Sequence, residues 1–140
     1  MLVGSRDDAR RFFFDVWQQL KAGAPLVGVA HVVADILQMH PEYHDMLDAG
    51  PGVITRDFGG AEPVHNPFLH LGLHVALAEQ LQADRPPGVL AVHATLLARG
   101  EPVHDIAHRM IDCLATELWR AQSTGGLPDE QAYLDSLRRL

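Results

Sequence analysis

The sequence predicts an all-α protein, a helical bundle of four main helices with one or two short helices and a long Gly/Pro-rich loop. Apolar residues recur at helical spacing through most of the chain, and capping residues or Gly/Pro clusters bound these segments. Alternation with period two, which is typical of strands, is weak and confined to residues 52–57. The length of 140 residues suits a single domain, residues 1–140, with its own core.

The first two helices are predicted from a cap, an apolar stripe and a proline. Ser5 precedes the acidic residues of a first turn, and the helix runs to about Lys21. Its apolar stripe comprises Phe13, Val16, Trp17 and Leu20. A second helix is predicted over residues 26–40. Pro41 then breaks it or starts a new turn, which carries Glu42, Tyr43 and His44.

Residues 49–67 form the predicted loop, since glycines and prolines interrupt any helical period there. Loops of this length in compact domains are typically functional or mobile. Asn66 is the predicted N-cap of the third helix, and Pro67 stands at its first position. This helix runs to about Ala83, and the Pro/Gly cluster at residues 85–88 stops it.

The rest of the chain predicts three further helices. A shorter helix covers residues 88–98, and the next long helix covers residues 103–122 and ends at a Gly-rich stretch. A final amphipathic helix begins around residues 128–130. The aromatic residues are assigned to the core on the simplest interpretation, and the set comprises Phe12, Phe13, Phe14, Trp17 and Trp119.

Charge and cysteine content exclude several function classes. The formal net charge is −7, and the one local basic cluster, residues 6–11, is diluted by aspartates, which argues against a nucleic-acid partner. A single cysteine, Cys113, allows no internal disulfide and favours a reducing cytoplasm. No run reaches the roughly 20 apolar residues of a membrane span, and the N-terminus lacks the apolar stretch of a signal peptide. We therefore expect a soluble cytoplasmic protein.

Two histidine pairs with the same spacing are the main functional signal. His70 and His74 lie on the third helix, and His104 and His108 lie on the next long helix. Spacing of i, i+4 places both imidazoles on one face of a helix, which is how one helix supplies two ligands to one metal ion. Both pairs share their faces with apolar residues, namely Leu73, Leu77, Leu81, Ile111, Ala115 and Leu118. Burying four imidazoles requires partners, and a metal ion satisfies them economically.

A third i, i+4 pair, His40 and His44, spans Pro41 and is a candidate to complete the site. Its alternative role is capping, since a cation at a helix C-terminus is favourable. His93 faces the apolar side of its short helix and is more typical of a hydrogen-bonded core histidine. His31 is predicted to be a surface residue.

The neighbouring carboxylates indicate which metals to expect. Glu79 and Glu117 turn away from the histidine faces, and the Glu-x-x-His motif of ferritin-like di-iron proteins does not occur. The zincin motif His-Glu-x-x-His does not occur either. A histidine-rich site with few carboxylates suits Zn, Ni, Cu or a histidine-rich iron centre.

Several motifs along nearly the whole chain resemble an uncharacterised bacterial family of short helical proteins known only as a domain of unknown function, DUF1841. The motifs are Asn66-Pro67-Phe68-Leu69-His70 with His74, His40-Pro41-Glu42-Tyr43-His44, Pro86-Pro87-Gly88, His104 with His108, and Trp119-Arg120-Ala121-Gln122. The resemblance implies a stand-alone helical protein with no assigned activity. It transfers no catalytic residue and no metal.

Three hypotheses follow from the residues. The first is a metalloprotein whose ligands come from His70, His74, His104 and His108, with His40 or His44 in addition. An open coordination position would make such a site catalytic, and a closed one would serve structure or storage. The second is a binding or scaffold module with a buried histidine network, whose loop contacts a protein partner or a second copy of the chain. The third is a domain that responds to histidine protonation.

Overall fold

A computed structural model describes residues 6–58 and 66–140, and these residues form α-helices and short 3-10 turns without any strand. The all-α prediction is confirmed. The weak alternation at residues 52–57 does not correspond to a strand, since Pro51–Thr55 forms a 3-10 turn. Loop residues 59–65 of the predicted 49–67 segment lie outside the described residues. None of the helices in the described segments has the length and apolar character that crossing a bilayer requires.

The chain divides into two compact units, Met1–Val75 and Ala76–Leu140. The helices of the first unit are α1 (Arg6–Lys21), α2 (Val29–Gln38) and α3 (His44–Asp48), with 3-10 turns at Pro41–Tyr43 and Pro51–Thr55. The boundary between the units falls within α4 (Pro67–Ala83). The second unit continues with α5 (Val89–Ala98), α6 (Val103–Thr124) and α7 (Glu130–Arg138).

Capping side chains place the helix starts where the sequence predicts them. The Asn66 side-chain oxygen accepts a hydrogen bond from the Leu69 backbone N–H at 3.1 Å, which begins α4. The Asp129 side chain caps α7 by accepting hydrogen bonds from the backbone N–H groups of Gln131 and Ala132. The second helix is shorter than predicted and ends at Gln38, since Pro41 disfavours helical backbone at the residue before it.

The core of the first unit forms where α1 packs on α2 and on the 3-10 turn Pro51–Thr55. Its largest buried side chains are Phe13, Val16, Trp17, Leu37, Leu47, Ile54, Phe68 and Leu71. In the second unit the prediction of a core role for Trp119 was wrong, since this residue is 66% exposed. Helix α6 instead buries a stripe at helical spacing, which comprises Ile106, Met110, Leu114, Glu117 and Ala121.

A buried arginine organises the first part of the Gly/Pro-rich segment. Arg10 of α1 is 3% exposed, and its Nη1 donates to the carbonyls of Ile54 at 3.1 Å and Arg56 at 2.7 Å. The guanidinium carbon lies 5.4 Å and 5.0 Å from the ring centroids of Phe58 and Phe68. Burial lowers the pKa of Arg10, and the two carbonyls and two aromatic faces stabilise its charge. A single side chain therefore holds a segment that has little regular structure.

A buried carboxylate joins α6 to α7 in the second unit. Glu117 accepts hydrogen bonds from Arg120, at 2.5 Å from Nη2, and from the backbone N–H of Asp129, at 2.6 Å. These bonds, chiefly those from Arg120, lower the pKa of Glu117 from 4.5 to about 2. The carboxylate thereby fixes the residue that caps α7.

Replacing Arg10 tests its role as a clamp. Arg10→Met leaves two carbonyls without their donor, and we expect the free energy of unfolding to fall by about 2 kcal/mol or more. Chemical denaturation monitored by helicity measures the change. The matched control is Arg11→Met, since Arg11 is the exposed neighbour on the same helix. Equal effects of the two substitutions would contradict the clamp.

Glu117 should make the free energy of unfolding depend on pH in the acidic range. Its pKa is lowered on folding, so its contribution is present above pH 4.5 and is lost as pH falls toward about 2. Glu117→Gln should be less stable at neutral pH and should lose less stability than the unmodified chain across this range. Denaturation midpoints from pH 6 to pH 2 measure the difference. Glu130→Gln, at an exposed position, is the control and should keep the full acid dependence.

Candidate metal centre

His40 is oriented by the backbone of the helix that precedes it. Its ring is fully buried, and Nδ1 lies 2.6 Å from the carbonyl oxygen of Ile36. Because a carbonyl only accepts, Nδ1 carries the proton and donates, which leaves the lone pair of the neutral ring on Nε2. Hydrogen bonding of one ring nitrogen to a backbone carbonyl is the usual way to orient a metal-ligating histidine.

Two histidines of α4 meet the Nε2 atom of His40. His70 Nε2 lies 3.2 Å from His40 Nε2 and 3.1 Å from His74 Nε2. The donor atoms of His40 and His74 lie within 4.8 Å of one another. His40 and His74 are buried, and His70 is partly exposed. Three imidazole nitrogens from the end of α2 and one face of α4 therefore converge, and we call these residues the histidine triad.

Two of the three nitrogen separations within the histidine triad match those between ligands of one ion. Nitrogen ligands at 2.0–2.1 Å stand about 3.3–3.4 Å apart in a tetrahedron and about 3.0 Å apart in an octahedron. The observed separations of 3.1 and 3.2 Å lie between these values. Hydrogen bonding explains the two contacts of His70 less well. If His40 and His74 both present lone pairs at Nε2, the single Nε2–H of His70 would have to donate to both of them.

Tyr43 is a member of the site that sequence reasoning did not assign. Its ring lies parallel to the His40 ring, with centroids 5.5 Å apart, and approaches His70 edge to face at 6.2 Å. Burial, with Glu42 beside it, raises the pKa of Tyr43, so the phenol stays neutral. The signal in the sequence is the i, i+3 spacing to His40 across Pro41, which a 3-10 turn brings onto one side.

His44, the other candidate of its pair, is directed elsewhere within the first unit. Its Nε2 donates to the Leu37 carbonyl at 2.7 Å, and its ring packs on Trp17 with centroids 4.3 Å apart. Trp17 in turn donates to the Asp48 carboxylate at 2.8 Å. The structure thus gives His44 a role in tying α3 to α2 and does not bring its Nε2 to the histidine triad.

The second unit holds the other predicted pair. His104 and His108 stand one turn apart on α6, with ring centroids 4.1 Å apart and donor atoms within 4.8 Å of one another. Both rings are half-buried. The nearby carboxylate of Glu101 pairs with Arg109, and Asp105 and Asp112 are exposed. His104 and His108 therefore form a close imidazole pair, as their spacing predicts.

The remaining assigned histidines have the roles that the sequence suggests. His31 is exposed and lies 3.5 Å from the Asp35 carboxylate, in agreement with its predicted surface position. His93 is half-buried on α5, and burial lowers its pKa. Among the described residues of the first unit, no cysteine or carboxylate lies close enough to share one ion with His40 and His74.

Comparison with known proteins gives one match. The model of a family described as Domain of unknown function (DUF1841) matches residues 5–139. No curated protein and no solved structure matches the chain. The match covers both compact units and agrees with the family resemblance of the sequence motifs.

The orientation of His40 can be tested without metal. In chelator-treated protein at neutral pH, we expect His40 to be the tautomer protonated at Nδ1, since Ile36 offers only an acceptor. Proton–nitrogen correlation spectra of the imidazole rings identify the tautomer, and His40→Phe assigns the signal. His31 is the reference for a solvated ring. Protonation of neutral His40 at Nε2 instead would remove the basis for its ligand role.

Proposed function

The chain belongs to the DUF1841 family, whose description names no activity, and we propose from its histidines that it binds a transition metal ion. The observation that carries the proposal is the convergence of three Nε2 atoms at 3.1 and 3.2 Å in the histidine triad. Neutral imidazole is the commonest transition-metal ligand, and one of these rings is already oriented by a backbone carbonyl.

We also propose that His104 and His108 of the second unit bind a transition metal ion through their own i, i+4 pair. His104 and His108 are a second i, i+4 pair with their donor atoms close together. His44 is left out, because its Nε2 donates to a backbone carbonyl. In this proposal the imidazoles bind the metal, and no reaction is assigned to it.

The donor type limits the metals to consider. Imidazole suits Zn, Cu, Ni and Fe, whereas Mg and Ca prefer oxygen ligands. In the described part of the first unit, no cysteine or carboxylate is close enough to share an ion with His40 and His74. We therefore propose Zn, Ni, Fe or Cu as the bound ion.

A buried histidine network is the competing function. The Nε2 separations of 3.1 and 3.2 Å also fall within hydrogen-bonding range, and a network of this kind would specify a scaffold for a partner protein. Such a network needs no metal. Metal content therefore separates the two candidates.

Metal analysis of untagged protein is the primary test. We expect about one or two transition-metal ions per chain after purification or after addition of Zn, Ni, Fe or Cu, with imidazole nitrogens at roughly 2.0–2.2 Å. Mass spectrometry of the metals and X-ray absorption of the bound ion measure both quantities. A chain that is free of metal and does not bind any added ion would leave the histidine network as the explanation.

Single substitutions test the ligand set. His74→Ala and His108→Ala should each lower metal affinity by about tenfold or more and reduce the melting temperature of the loaded protein, since bound metal stabilises the folded state. His31→Ala, at an exposed position outside the set, should change neither quantity. An effect of His74→Ala without one of His108→Ala would restrict metal binding to the histidine triad.

A further inference from the structure

We infer that Tyr43 is a positioning residue of the histidine triad, and that its ring holds His40 and His70 in the orientation that binds the metal ion. The inference rests on the proposed function and deepens it, because it identifies a residue that controls the metal affinity of the site. Tyr43 supplies no ligand in the proposed site. Removal of its ring should therefore weaken metal binding while every ligand remains in the chain.

Tyr43 stacks on one face of the His40 ring. The two rings are parallel within 2°, and their centroids are 5.5 Å apart. The hydrogen bond from Nδ1 to the Ile36 carbonyl restrains one edge of the same imidazole. An imidazole binds a metal ion through a lone pair in the plane of its ring, so a tilt of the ring turns that lone pair away from the ion. The hydrogen bond and the Tyr43 ring together oppose such a tilt.

The same ring restrains the more exposed side of the triad. His70 is its partly exposed member, so packing restrains this ring less than the buried rings of His40 and His74. The Tyr43 ring meets the His70 ring edge to face, at an interplanar angle of 77° and a centroid separation of 6.2 Å. Edge-to-face contact is one of the arrangements that aromatic rings prefer. Because His70 Nε2 takes part in both short separations, a shift of this ring would disturb both of them.

The backbone that carries Tyr43 is itself held at the end of α2. The Tyr43 backbone N–H donates to the His40 carbonyl at 3.0 Å, within a 3-10 turn. The next residue, His44, donates to the Leu37 carbonyl and packs on the buried Trp17 ring. Tyr43 therefore lies between two histidines that both bond to the last turn of α2. In this arrangement His44, which is left out of the ligand set, helps to keep the Tyr43 ring against the triad.

Two substitutions at Tyr43 separate its ring from its hydroxyl. Tyr43→Leu removes the aromatic ring, and Tyr43→Phe keeps it. We expect the zinc affinity of the full chain, at the site that His74→Ala weakens, to fall about tenfold or more in Tyr43→Leu, since loss of an outer partner of a ligating histidine typically has an effect of this size. Tyr43→Phe should stay within about threefold of the unmodified chain, because it keeps the stacking face. Competition with a chromophoric chelator measures these affinities.

A third variant controls for a general loss of stability. Val53 is buried in the same core, on the turn Pro51–Thr55, and Val53→Ala should lower the melting temperature of the metal-free chain without changing its zinc affinity. Circular dichroism confirms that each variant is folded at the titration temperature, and Tyr43→Met replaces Tyr43→Leu if the latter is unfolded. Equal losses of zinc affinity in Val53→Ala and Tyr43→Leu would assign the effect to core stability and would overturn the inference.

The other outcomes separate failure of the inference from failure of the proposed function. Unchanged zinc affinity in Tyr43→Leu would overturn the inference and leave the proposed function intact. Equal losses of affinity in Tyr43→Phe and Tyr43→Leu would place the effect in the hydroxyl group and would also overturn the inference. An unmodified chain that binds none of Zn, Ni, Fe or Cu would overturn the proposed function, and the inference with it.

Discussion

The hydrogen bond between His40 and the Ile36 carbonyl is the contact on which the histidine site depends. Pro41 forces His40 out of the helical conformation, to φ −126° and ψ 62°, and so ends α2. The ring then folds back along the helix, and its Nδ1 donates to the Ile36 carbonyl, which also accepts from the Met39 backbone N–H at 3.2 Å. This interaction fixes the tautomer of His40 and leaves its Nε2 3.2 Å from His70 Nε2 on α4.

Two buried charged side chains, Arg10 and Glu117, are held by opposite charge or by backbone groups, whereas the histidine triad brings like groups together. Arg10 bonds two carbonyls and lies over two aromatic rings, and Glu117 pairs with Arg120 and a backbone N–H. In the triad, by contrast, like groups face one another. Like donor atoms at 3.1 and 3.2 Å are the feature on which both the proposed metal site and the alternative histidine network rest.

Local patterns could be predicted from the sequence, and features that depend on distant contacts could not. Spacing and capping chemistry predicted α4 and the faces that carry His70, His74, His104 and His108. No local rule distinguishes His40 from His44, because they differ in which ring nitrogen donates to a backbone carbonyl, Nδ1 in His40 and Nε2 in His44. Arg10 was missed for a similar reason, since its partners lie more than forty residues away. Trp119 was assigned to the core from its residue type alone. Its burial depends instead on its position around α6, and it lies outside the buried stripe of that helix.

The separation of the triad nitrogens bears on the cost of binding a metal. A site whose ligands are scattered must lose side-chain entropy and rearrange its packing when the ion enters, and this cost weakens affinity. Here the rings of His40 and His74 are already buried, and the Nε2 atoms already stand close to ligand spacing. In the proposed metal site, this preorganisation would reduce the cost of binding, so that more of the interaction with an ion appears as affinity.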